Sequence, residues 1–401
     1  MVTLTGHLRQ STPPTLRAMS SPVVLSAGTV VTGDAVLRPG WVTVDGATVR
    51  VTGGGPPPDG ATELGAAAIV VPGFVDMHVH GGGGGSFPGA DPGQVTTAID
   101  FHRRHGTTTS VASLVTASPD GLLADVRALA QRVAAGDLAG IHLEGPWLSE
   151  RRCGAHDVAL LRDPDPVEVA AVLNAGGGAV RMVTVAPERP GALDAIRAVV
   201  GAGAVAAVGH TDATYDVVRA AVAAGATAGT HLFNAMRPVH HREPGPVVAL
   251  LEDPRVTVEV ILDGHHVHPA LYDTVARAAG PGRVALVTDA MSAAGMPDGD
   301  YRLGALDVTV AAGLAVLTGT STIAGSTTTM DVGFRTAVAT GGGPASDVAL
   351  LRAVDQTATT PARTLGLPRV GALRAGQAAD LVVLDGDLAV TRVLRAGRWI
   401  T

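Results

Sequence analysis

Eight short apolar runs recur between residues 75 and 289, and they constrain the fold more than any other feature of the chain. The runs lie at 75–80, 110–115, 140–144, 180–185, 204–210, 226–231, 256–262 and 284–289. Segments with helical spacing separate most of them, at 92–104, 119–135, 190–201, 213–224 and 269–279. Because apolar strands that alternate with helices form parallel sheets, eight such units predict an α/β fold with a (β/α)₈ TIM-type barrel. A doubly wound open sheet is the structural alternative.

The two ends of the chain differ from this middle part. Short strand-like runs lie at 23–25, 28–31, 40–45, 379–384 and 390–394. A Gly-Pro loop at 53–58 and the turn residues at 385–387 separate runs of this kind. The pattern predicts one small β-sandwich domain formed by residues 22–71 and 371–401, with the barrel over 72–370. Residues 1–21 match neither part and are predicted to be a disordered extension, with a true start at Met19 as the alternative.

The charged residues and the single cysteine exclude several classes of protein. All 29 basic residues are arginines, so a Schiff-base lysine, a P-loop lysine and a carbamylated lysine between two metals are excluded. A formal net charge of −7, without an arginine cluster longer than a pair, argues against a nucleic-acid partner. Cys153 alone can form neither an intrachain disulfide nor a cysteine-rich metal site. Since no apolar run reaches the length of a membrane helix and no secretory signal is visible, we expect a cytoplasmic protein without a membrane partner.

Polar side chains stand at the ends of five of the eight runs. They are His78 and His80 after the first run, Glu144 after the third, His210 after the fifth, His231 after the sixth and Asp289 after the eighth. A lone histidine in such a place is usually structural. Because barrel enzymes carry their reactive groups at the C-terminal ends of the strands, six residues at matching positions predict one shared site.

The residue types at these strand ends suit a metal ion. His78 and His80 are two residues apart, so on a strand both imidazoles project to one face. Glu144 with His210 and His231 forms a carboxylate and two-imidazole set of the kind that binds zinc with one open position. Zinc lowers the pKa of a bound water and polarises a carbonyl, so these residues predict hydrolysis of an amide.

Two further polar residues accompany this set. Asp289 is suited to be the general base toward the water and then the general acid toward the amine. A helix N-cap or a third metal ligand is the alternative role for Asp289. His142 shares a strand face with Glu144, and a structural role is as compatible with the pattern as a catalytic one.

Eight motifs spread over most of the chain carry a resemblance to a known family. They are PGFVDMHVHG at 72–81, HLEGPW at 142–147, VGHTDA at 208–213, THLFNAM at 230–236, REPG at 242–245, DGHHV at 263–267, LVTDA at 286–290 and AGS at 324–326. With these motifs the chain resembles the N-acetylglucosamine-6-phosphate deacetylases of the amidohydrolase superfamily. The resemblance implies a barrel with a β-sandwich built from both termini. It also implies hydrolysis of N-acetyl-D-glucosamine 6-phosphate to D-glucosamine 6-phosphate and acetate.

The resemblance also implies roles for individual residues. Metal binding is implied for Glu144, His210 and His231, and for His78 and His80 if a second ion is bridged by Glu144. Asp289 would be the acid/base, and His156 would steady the acetyl carbonyl. Substrate contacts are implied for Ala155, His156, Asn234, Ala235, Arg242, Asp263, Gly264, His265, His266, Ile323, Ala324 and Gly325. Arg242 and His266 would contact the phosphate, and because His266 can reach a neighbouring subunit in similar enzymes, a homodimer is implied.

Several points stay open at the level of sequence. The metal is a divalent cation, with Zn²⁺ the preferred candidate, and one or two ions per subunit are both compatible with the pattern. Cys153 either adjusts access to the site or is an inert small side chain. The alternative functions are an amidohydrolase for a different N-acyl or cyclic amide and a non-catalytic protein that binds sugar phosphates.

Overall fold

The computed structural model describes residues 22–400, and this part of the chain begins with short strands. These are β1 (Val23–Ala27), β2 (Thr29–Val31), β3 (Val36–Leu37), β4 (Gly40–Asp45), β5 (Thr48–Gly54), β6 (Thr62–Glu63) and β7 (Ile69–Pro72). One sheet has the order β5-β4-β1-β6, whereas β7, β2 and β3 belong to a second sheet. The loop predicted at 53–58 starts later than expected, because Gly53 and Gly54 still pair with β4. The prediction for residues 1–21 lies outside the described residues.

The middle of the chain alternates strands and helices. Its strands are β8 (Phe74–Val79), β9 (Gly81–Gly82), β10 (Gly85–Ser86), β11 (Thr107–Leu114), β12 (Gly140–Glu144), β13 (Val180–Val185), β14 (Val205–Val208), β15 (Ala228–Gly229), β16 (Thr257–Ile261) and β17 (Val284–Val287). Its helices are α1 (Pro92–Arg104), α2 (Pro119–Ala134), α3 (Pro166–Gly176), α4 (Ala192–Gly201), α5 (Tyr215–Ala223), α6 (Gly245–Glu252) and α7 (Pro269–Ala279). Two single turns of 3₁₀ helix, Glu150–Arg152 and Val158–Leu160, follow β12.

Eight of these strands form one parallel sheet, which closes on itself. The order is β17-β16-β15-β14-β13-β12-β11-β8. At the two ends of this order, the backbone N–H of Asp289 donates to the carbonyl of His78 at 2.9 Å, and that of His80 donates to Ala290 at 2.8 Å. The barrel prediction is therefore confirmed, and the open-sheet alternative is wrong.

Several helices of the barrel begin where a capping side chain precedes a proline. Asp91, Ser118 and Asp165 each accept a backbone N–H from the first turn of α1, α2 and α3, and a proline follows each of them. Such a cap satisfies a donor that the helix leaves free, and proline at the first position needs no N–H partner. All five predicted helices lie within two residues of α1, α2, α4, α5 and α7.

A second group of elements follows the barrel strands. They are β18 (Gly299–Leu303), β19 (Leu306–Ala311), β20 (Leu314–Leu317), α8 (Met330–Thr340), α9 (Asp347–Val354), a π-helical turn (Asp355–Thr359), α10 (Thr360–Thr364), β21 (Leu381–Leu384), β22 (Val390–Arg395) and β23 (Arg398–Ile400). Strands β18, β19 and β20 form a separate antiparallel sheet. A buried apolar cluster, including Leu303, Val308, Met291 and Ala324, packs this sheet against the loops after β17. The sequence patterns did not predict this inserted sheet.

The termini come together as expected. Strand β21 pairs with β7, and the second sheet has the order β23-β22-β21-β7-β2-β3. Side chains from both ends, such as Leu25, Val42, Leu381 and Leu394, share one buried cluster. The residue limits of the two domains stay a prediction. None of the helices between residues 22 and 400 combines the length and the apolar character that a membrane span requires.

Candidate active site

Six side chains from the C-terminal ends of the barrel strands meet at one point. The Nε2 atoms of His210 and His231 lie 3.0 and 2.9 Å from Glu144 Oε1. On the other side, His80 Nε2 lies 3.1 Å from Glu144 Oε2 and 3.2 Å from Asp289 Oδ1. The six residues predicted from the strand ends therefore form one cluster, with the Glu144 carboxylate at its centre.

This cluster contains two overlapping sets of metal-binding atoms. One set is His78, His80, Glu144 and Asp289, and the other is Glu144, His210 and His231. All of these residues are buried, and the donor atoms within each set lie within 4.8 Å of one another. Imidazole nitrogen and carboxylate oxygen are the ligands that zinc and similar divalent ions prefer.

The orientation of the imidazoles provides a test of whether a metal fits. The Nδ1 atoms of His78, His80 and His210 bond to Glu259 Oε2 at 3.0 Å, to the carbonyl of Ser113 at 3.2 Å and to the carbonyl of Arg152 at 2.9 Å. These partners are acceptors, so each Nδ1 carries a proton and each Nε2 is the atom that faces the cluster and can bind an ion. Metal-binding histidines are held in this way, and the residues therefore fit a divalent ion.

The backbone at these strand ends is strained. His210, His231, Ala235 and Asp289 have φ values of 46°, 26°, 48° and 48°, in the left-handed region that non-glycine residues rarely adopt. Each such residue costs on the order of 1–3 kcal/mol, which the surrounding structure must offset. Strain of this kind concentrates at functional sites, and here it turns the side chains of three cluster residues into the barrel mouth.

The electrostatic environment favours the ionised form of both carboxyl groups in the cluster. Burial raises the pKa of Glu144, but His78 and His210 lower it more, and the net pKa lies well below the usual range. Burial likewise raises the pKa of Asp289, while His78 and His80 bring it down to about 2. Burial lowers the pKa of His78, yet the carboxylates of Glu144, Asp289 and Glu259 raise it well above its ordinary value. Two anionic carboxylates among imidazoles favour a bound cation.

His156 is held as a hydrogen-bond donor toward the cluster. The backbone N–H of Thr116 donates to its Nδ1 at 3.3 Å, so Nδ1 is an acceptor and the proton is on Nε2. That Nε2 lies 3.4 Å from Glu144 Oε2. Burial lowers the pKa of His156 to about 4, so the ring is neutral near pH 7. The backbone of Gly154 comes close to the same region, since a Cβ there would lie 3.1 Å from His210 Cε1.

A cavity of about 190 Å³ opens above the cluster, which limits its occupant to a small molecule. Predicted site residues that line it are His80, Glu144, Ala155, His156, His210, His231, Asn234, Ala235, His266, Asp289, Ile323 and Gly325. Predicted residues outside its lining are His78, Arg242, Asp263, Gly264, His265 and Ala324. His78 belongs to the buried cluster below the cavity, whereas Arg242 is exposed and its Nη1 bonds to His241 at 2.7 Å.

Asp263 acts on the cavity through His266. Its Oδ1 accepts the backbone N–H groups of His265 and His266, both at 2.9 Å, and its Oδ2 lies 2.7 Å from His266 Nδ1. Burial lowers the pKa of His266, but the hydrogen bond and charge of Asp263 raise it above its ordinary value. Asp263 therefore orients a side chain that lines the cavity and favours its protonated form.

The structure also identifies residues that the motif analysis did not single out. Glu259 contacts His78, and Asp76 accepts the Thr288 hydroxyl at 2.5 Å beside Asp289. Burial raises the pKa of Asp76 to about 7. A signal for both was present, because each is a carboxylate inside an otherwise apolar strand.

His142 and Cys153 lie near the cluster without facing the cavity. Both ring nitrogens of His142 have hydroxyl partners, Ser113 at 2.9 Å and Thr184 at 2.8 Å. These bonds favour the structural role for His142. Cys153 does not line the cavity, although the next three residues do. Its role stays a prediction.

Comparisons with known proteins agree with this arrangement. A sequence profile described as Amidohydrolase family matches residues 69–400. The N-acetylglucosamine-6-phosphate deacetylase of Vibrio furnissii is 36% identical over 340 residues, which cover 82% of this chain and 82% of that protein. The N-acetylgalactosamine-6-phosphate deacetylase of Escherichia coli O157:H7 is 36% identical over 339 residues, which cover 83% of this chain and 88% of that protein.

A solved structure is more similar still. It is a mutant of the N-acetyl-D-glucosamine-6-phosphate deacetylase from Mycobacterium smegmatis in complex with N-acetyl-D-glucosamine-6-phosphate. The two structures superpose with a TM-score of 0.93 at 60% sequence identity, over 95% of this chain and 100% of that chain. The resemblance inferred from the motifs is confirmed. On the profile match and these relatives, the chain belongs to the amidohydrolase family.

Proposed function

We propose that the chain is a metal-dependent deacetylase that hydrolyses N-acetyl-D-glucosamine 6-phosphate to D-glucosamine 6-phosphate and acetate. The observation that carries the proposal is the convergence of Asp289, His156 and the imidazole and carboxylate cluster on one small cavity. The 60% identical structure, whose complex contains this sugar phosphate, supports the choice of substrate. The proposed metal is a divalent ion, with Zn²⁺ as the first candidate.

The chain's own groups supply the acid/base chemistry. A divalent ion held by Glu144, His210 and His231 would polarise the acetyl carbonyl and lower the pKa of water. Asp289 takes the proton of the attacking water, because its carboxylate is ionised and borders the cavity. The same carboxyl then passes that proton to the amine that leaves. The Nε2–H of His156 donates to the carbonyl oxygen as negative charge develops there.

Two further residues that line the cavity suit a phosphorylated sugar. Asn234 donates its side-chain N–H to the carbonyls of His231 and Leu232, at 3.2 and 3.3 Å, which leaves its side-chain oxygen to accept from a sugar hydroxyl. His266 lines the same cavity, and Asp263 favours its protonated form. A protonated imidazole can donate a charge-assisted hydrogen bond to phosphate.

We extend the proposal to a homodimer with the site near the interface. Arg242 does not line the cavity of its own chain, and among the residues that do line it there is no arginine. Arg242 is exposed and available to a second copy. Phosphate sites commonly use arginine because the guanidinium binds phosphate in a bidentate manner. In a homodimer each chain would supply Arg242 to the cavity of the other.

Mixed dimers test this arrangement. An Asp289→Asn chain and an Arg242→Ala chain are each defective, but a mixed dimer contains one cavity with an intact Asp289 and an Arg242 from the other chain. We expect mixing to restore acetate release at low substrate concentration. Activity that only averages the two variants would contradict the shared site.

Acetate release tests the reaction itself. Metal-stripped protein is assayed with and without added Zn²⁺, beside an Asp289→Asn variant. The substrates are N-acetylglucosamine 6-phosphate, its galactosamine epimer and unphosphorylated N-acetylglucosamine. The epimer is included because one relative at 36% identity is named for it. We expect metal-restored hydrolysis of the glucosamine phosphate, which Asp289→Asn abolishes. Faster hydrolysis of the epimer would reassign the substrate, and no hydrolysis of any of the three would overturn the proposal. The cytoplasmic location stays a prediction.

A further inference from the structure

Glu259 is a buried carboxylate in a place where an apolar residue would be expected. It lies at the centre of β16, between Val258 and Val260, and its solvent exposure is 0%. A carboxylate removed from water costs several kcal/mol unless nearby groups compensate it. A valine or leucine would fill the same strand position without that cost. Glu259 therefore needs a functional explanation.

Within residues 22–400, the hydrogen bonds of its side chain all go to the candidate metal centre. Glu259 Oε2 lies 3.0 Å from His78 Nδ1 and accepts the backbone N–H of His231 at 3.2 Å. Its other oxygen has no hydrogen-bond partner among the described residues. One oxygen therefore joins His78, from the first set of donors, to the backbone of His231, from the second set.

These contacts determine how His78 faces the centre. Since a carboxylate accepts hydrogen bonds, His78 carries its proton on Nδ1 and keeps a lone pair on Nε2. That Nε2 lies 3.5 Å from Glu144 Oε1, 3.4 Å from Asp289 Oδ1 and 3.1 Å from His80 Nε2. Without Glu259, Nδ1 of His78 would lose the acceptor of its proton, and the tautomer with a lone pair on Nε2 would no longer be favoured.

The charges of the metal centre also support a role in binding cations. Glu144, Asp289 and Glu259 are three buried carboxylates, and every ion pair they make within residues 22–400 is with a histidine. Histidines that bind metal are neutral, so the positive charge must come from the ions.

We propose that Glu259 is a positioning residue that holds His78 as a ligand of the second divalent ion, the one that the family resemblance implies. This inference rests on the metal centre of the proposed function but not on its substrate. Glu259 would thus determine how tightly an ion binds to the set of donors that contains His78 and His80. Groups that orient a metal ligand typically change metal affinity by about 10- to 100-fold when they are replaced.

Zn²⁺ binding to the metal-stripped full chain tests the proposal. Stoichiometry is measured by elemental analysis after desalting, and affinity by competition with a chelating dye. We expect two equivalents in the wild type, with one of them weakened about 10- to 100-fold in Glu259→Leu and less in Glu259→Gln. His78→Ala should weaken the same equivalent. The double variant Glu259→Leu/His78→Ala should bind no more weakly than His78→Ala, because the two residues act through one ligand.

A matched control separates positioning from general destabilisation. Asp253 is another buried carboxylate, 4% exposed, but it pairs with Arg255 and Arg219 away from the centre. Asp253→Asn should leave both Zn²⁺ equivalents unchanged. If Glu259→Leu does not fold, Glu259→Met, which fills similar space without an acceptor oxygen, is used instead, and unchanged Zn²⁺ binding in that variant overturns the proposal.

Other outcomes are equally decisive. A single Zn²⁺ equivalent in the wild type, or an additive loss in the double variant, overturns the proposal. Acetate release is measured separately on the same samples. Two equivalents that depend on Glu259, without any acetate release, would refute the proposed reaction and leave the role of Glu259 supported.

Discussion

The mouth of the barrel, at the C-terminal ends of its eight strands, and its base, at their N-terminal ends, differ in charge, polarity and backbone strain. At the mouth, histidines and carboxylates crowd together and three of them have left-handed backbones. Toward the base, the interior is apolar, with residues such as Val75, Val111 and Ala285 packed above Ala362 and Leu365. The strand ends thus concentrate charge and strain, and the apolar interior offsets their cost.

This difference separates chemistry from stability within one barrel. Charged and strained groups at the mouth each cost free energy, whereas the buried base contributes to stability through transfer of apolar surface from water. We therefore expect substitutions at the mouth to change catalysis and substitutions at the base to change the free energy of unfolding. The following predictions test this separation, from the largest expected effect to the smallest.

Asp289→Asn should have the largest effect. Loss of the general acid/base should lower the rate of acetate release by about 10²- to 10⁴-fold. The free energy of unfolding should fall less than in a truncation at the base, because the amide has the same shape and loses only the ion pairs with His78 and His80. Asp216→Asn, on the exposed surface of α5, is the control and should keep wild-type activity. A strongly destabilised but active Asp289→Asn protein would contradict the separation of mouth and base.

Leu365→Ala should have the converse effect at the base. Leu365 is 4% exposed and belongs to the apolar cluster beneath the barrel. Its truncation should lower the free energy of unfolding by about 2–4 kcal/mol, as measured by urea titration. Leu365→Met, which conserves volume, should cost less than about 1.5 kcal/mol. The folded Leu365→Ala protein should keep its turnover number, and a large loss of turnover would show that the base also shapes the site.

Arg242→Ala tests whether a residue outside the cavity of its own chain contributes to substrate binding. If Arg242 binds the phosphate of the substrate in the neighbouring chain, its loss should raise KM for the sugar phosphate by about 10- to 100-fold. Hydrolysis of the unphosphorylated sugar should not change. Arg277→Ala, an exposed arginine on α7, is the matched control. Equal effects on both sugars would show that Arg242 has no specific role toward phosphate.

The pH dependence of KM should show the smallest effect, and it should come from His266. Because the pKa of His266 is raised in the folded protein, its protonated form stabilises the fold. This contribution to stability is fully present below the pKa of the unfolded state and is lost as pH rises through the pKa of the folded state. The pKa of Asp263 is lowered, because its bonds to His266 outweigh burial, so its contribution is lost only as pH falls through that lowered value.

KM for the phosphorylated substrate should therefore rise about three- to tenfold on the alkaline side of the His266 pKa, as its hydrogen bond to phosphate is lost. In Asp263→Asn this rise should begin at a lower pH, because the group that raises the pKa of His266 is gone. KM of the unphosphorylated sugar should not follow this profile. A parallel change for both sugars would assign the pH dependence to another group.

Much of the barrel could be predicted from local patterns. Strands such as β12 and β13 were visible because short, largely apolar runs that alternate with helical segments are typical of buried parallel strands. The helix starts were visible because a cap and a proline act within one turn. The cluster around Glu144 followed from one general rule, that the C-terminal ends of barrel strands converge.

Other features depended on contacts between residues distant in the chain. The inserted sheet β18–β20 has weak alternation, and only its packing against the loops after β17 buries its apolar face. Arg242 belongs to a motif, yet its exclusion from the cavity of its own chain became visible only in three dimensions. Glu259 was visible as an odd residue in an apolar strand, but its partners are 181 and 28 residues away.

The sequence by itself thus determined the alternation of strands and helices, the eightfold barrel and the residue types at its mouth, because these follow from periodicity and from chain direction. The tertiary structure decided which ring nitrogen of each histidine faces the centre, which carboxylate orients it and which arginine is missing from the cavity. Those features depend on distances of about 3 Å between groups far apart in the chain, and local patterns do not encode such distances.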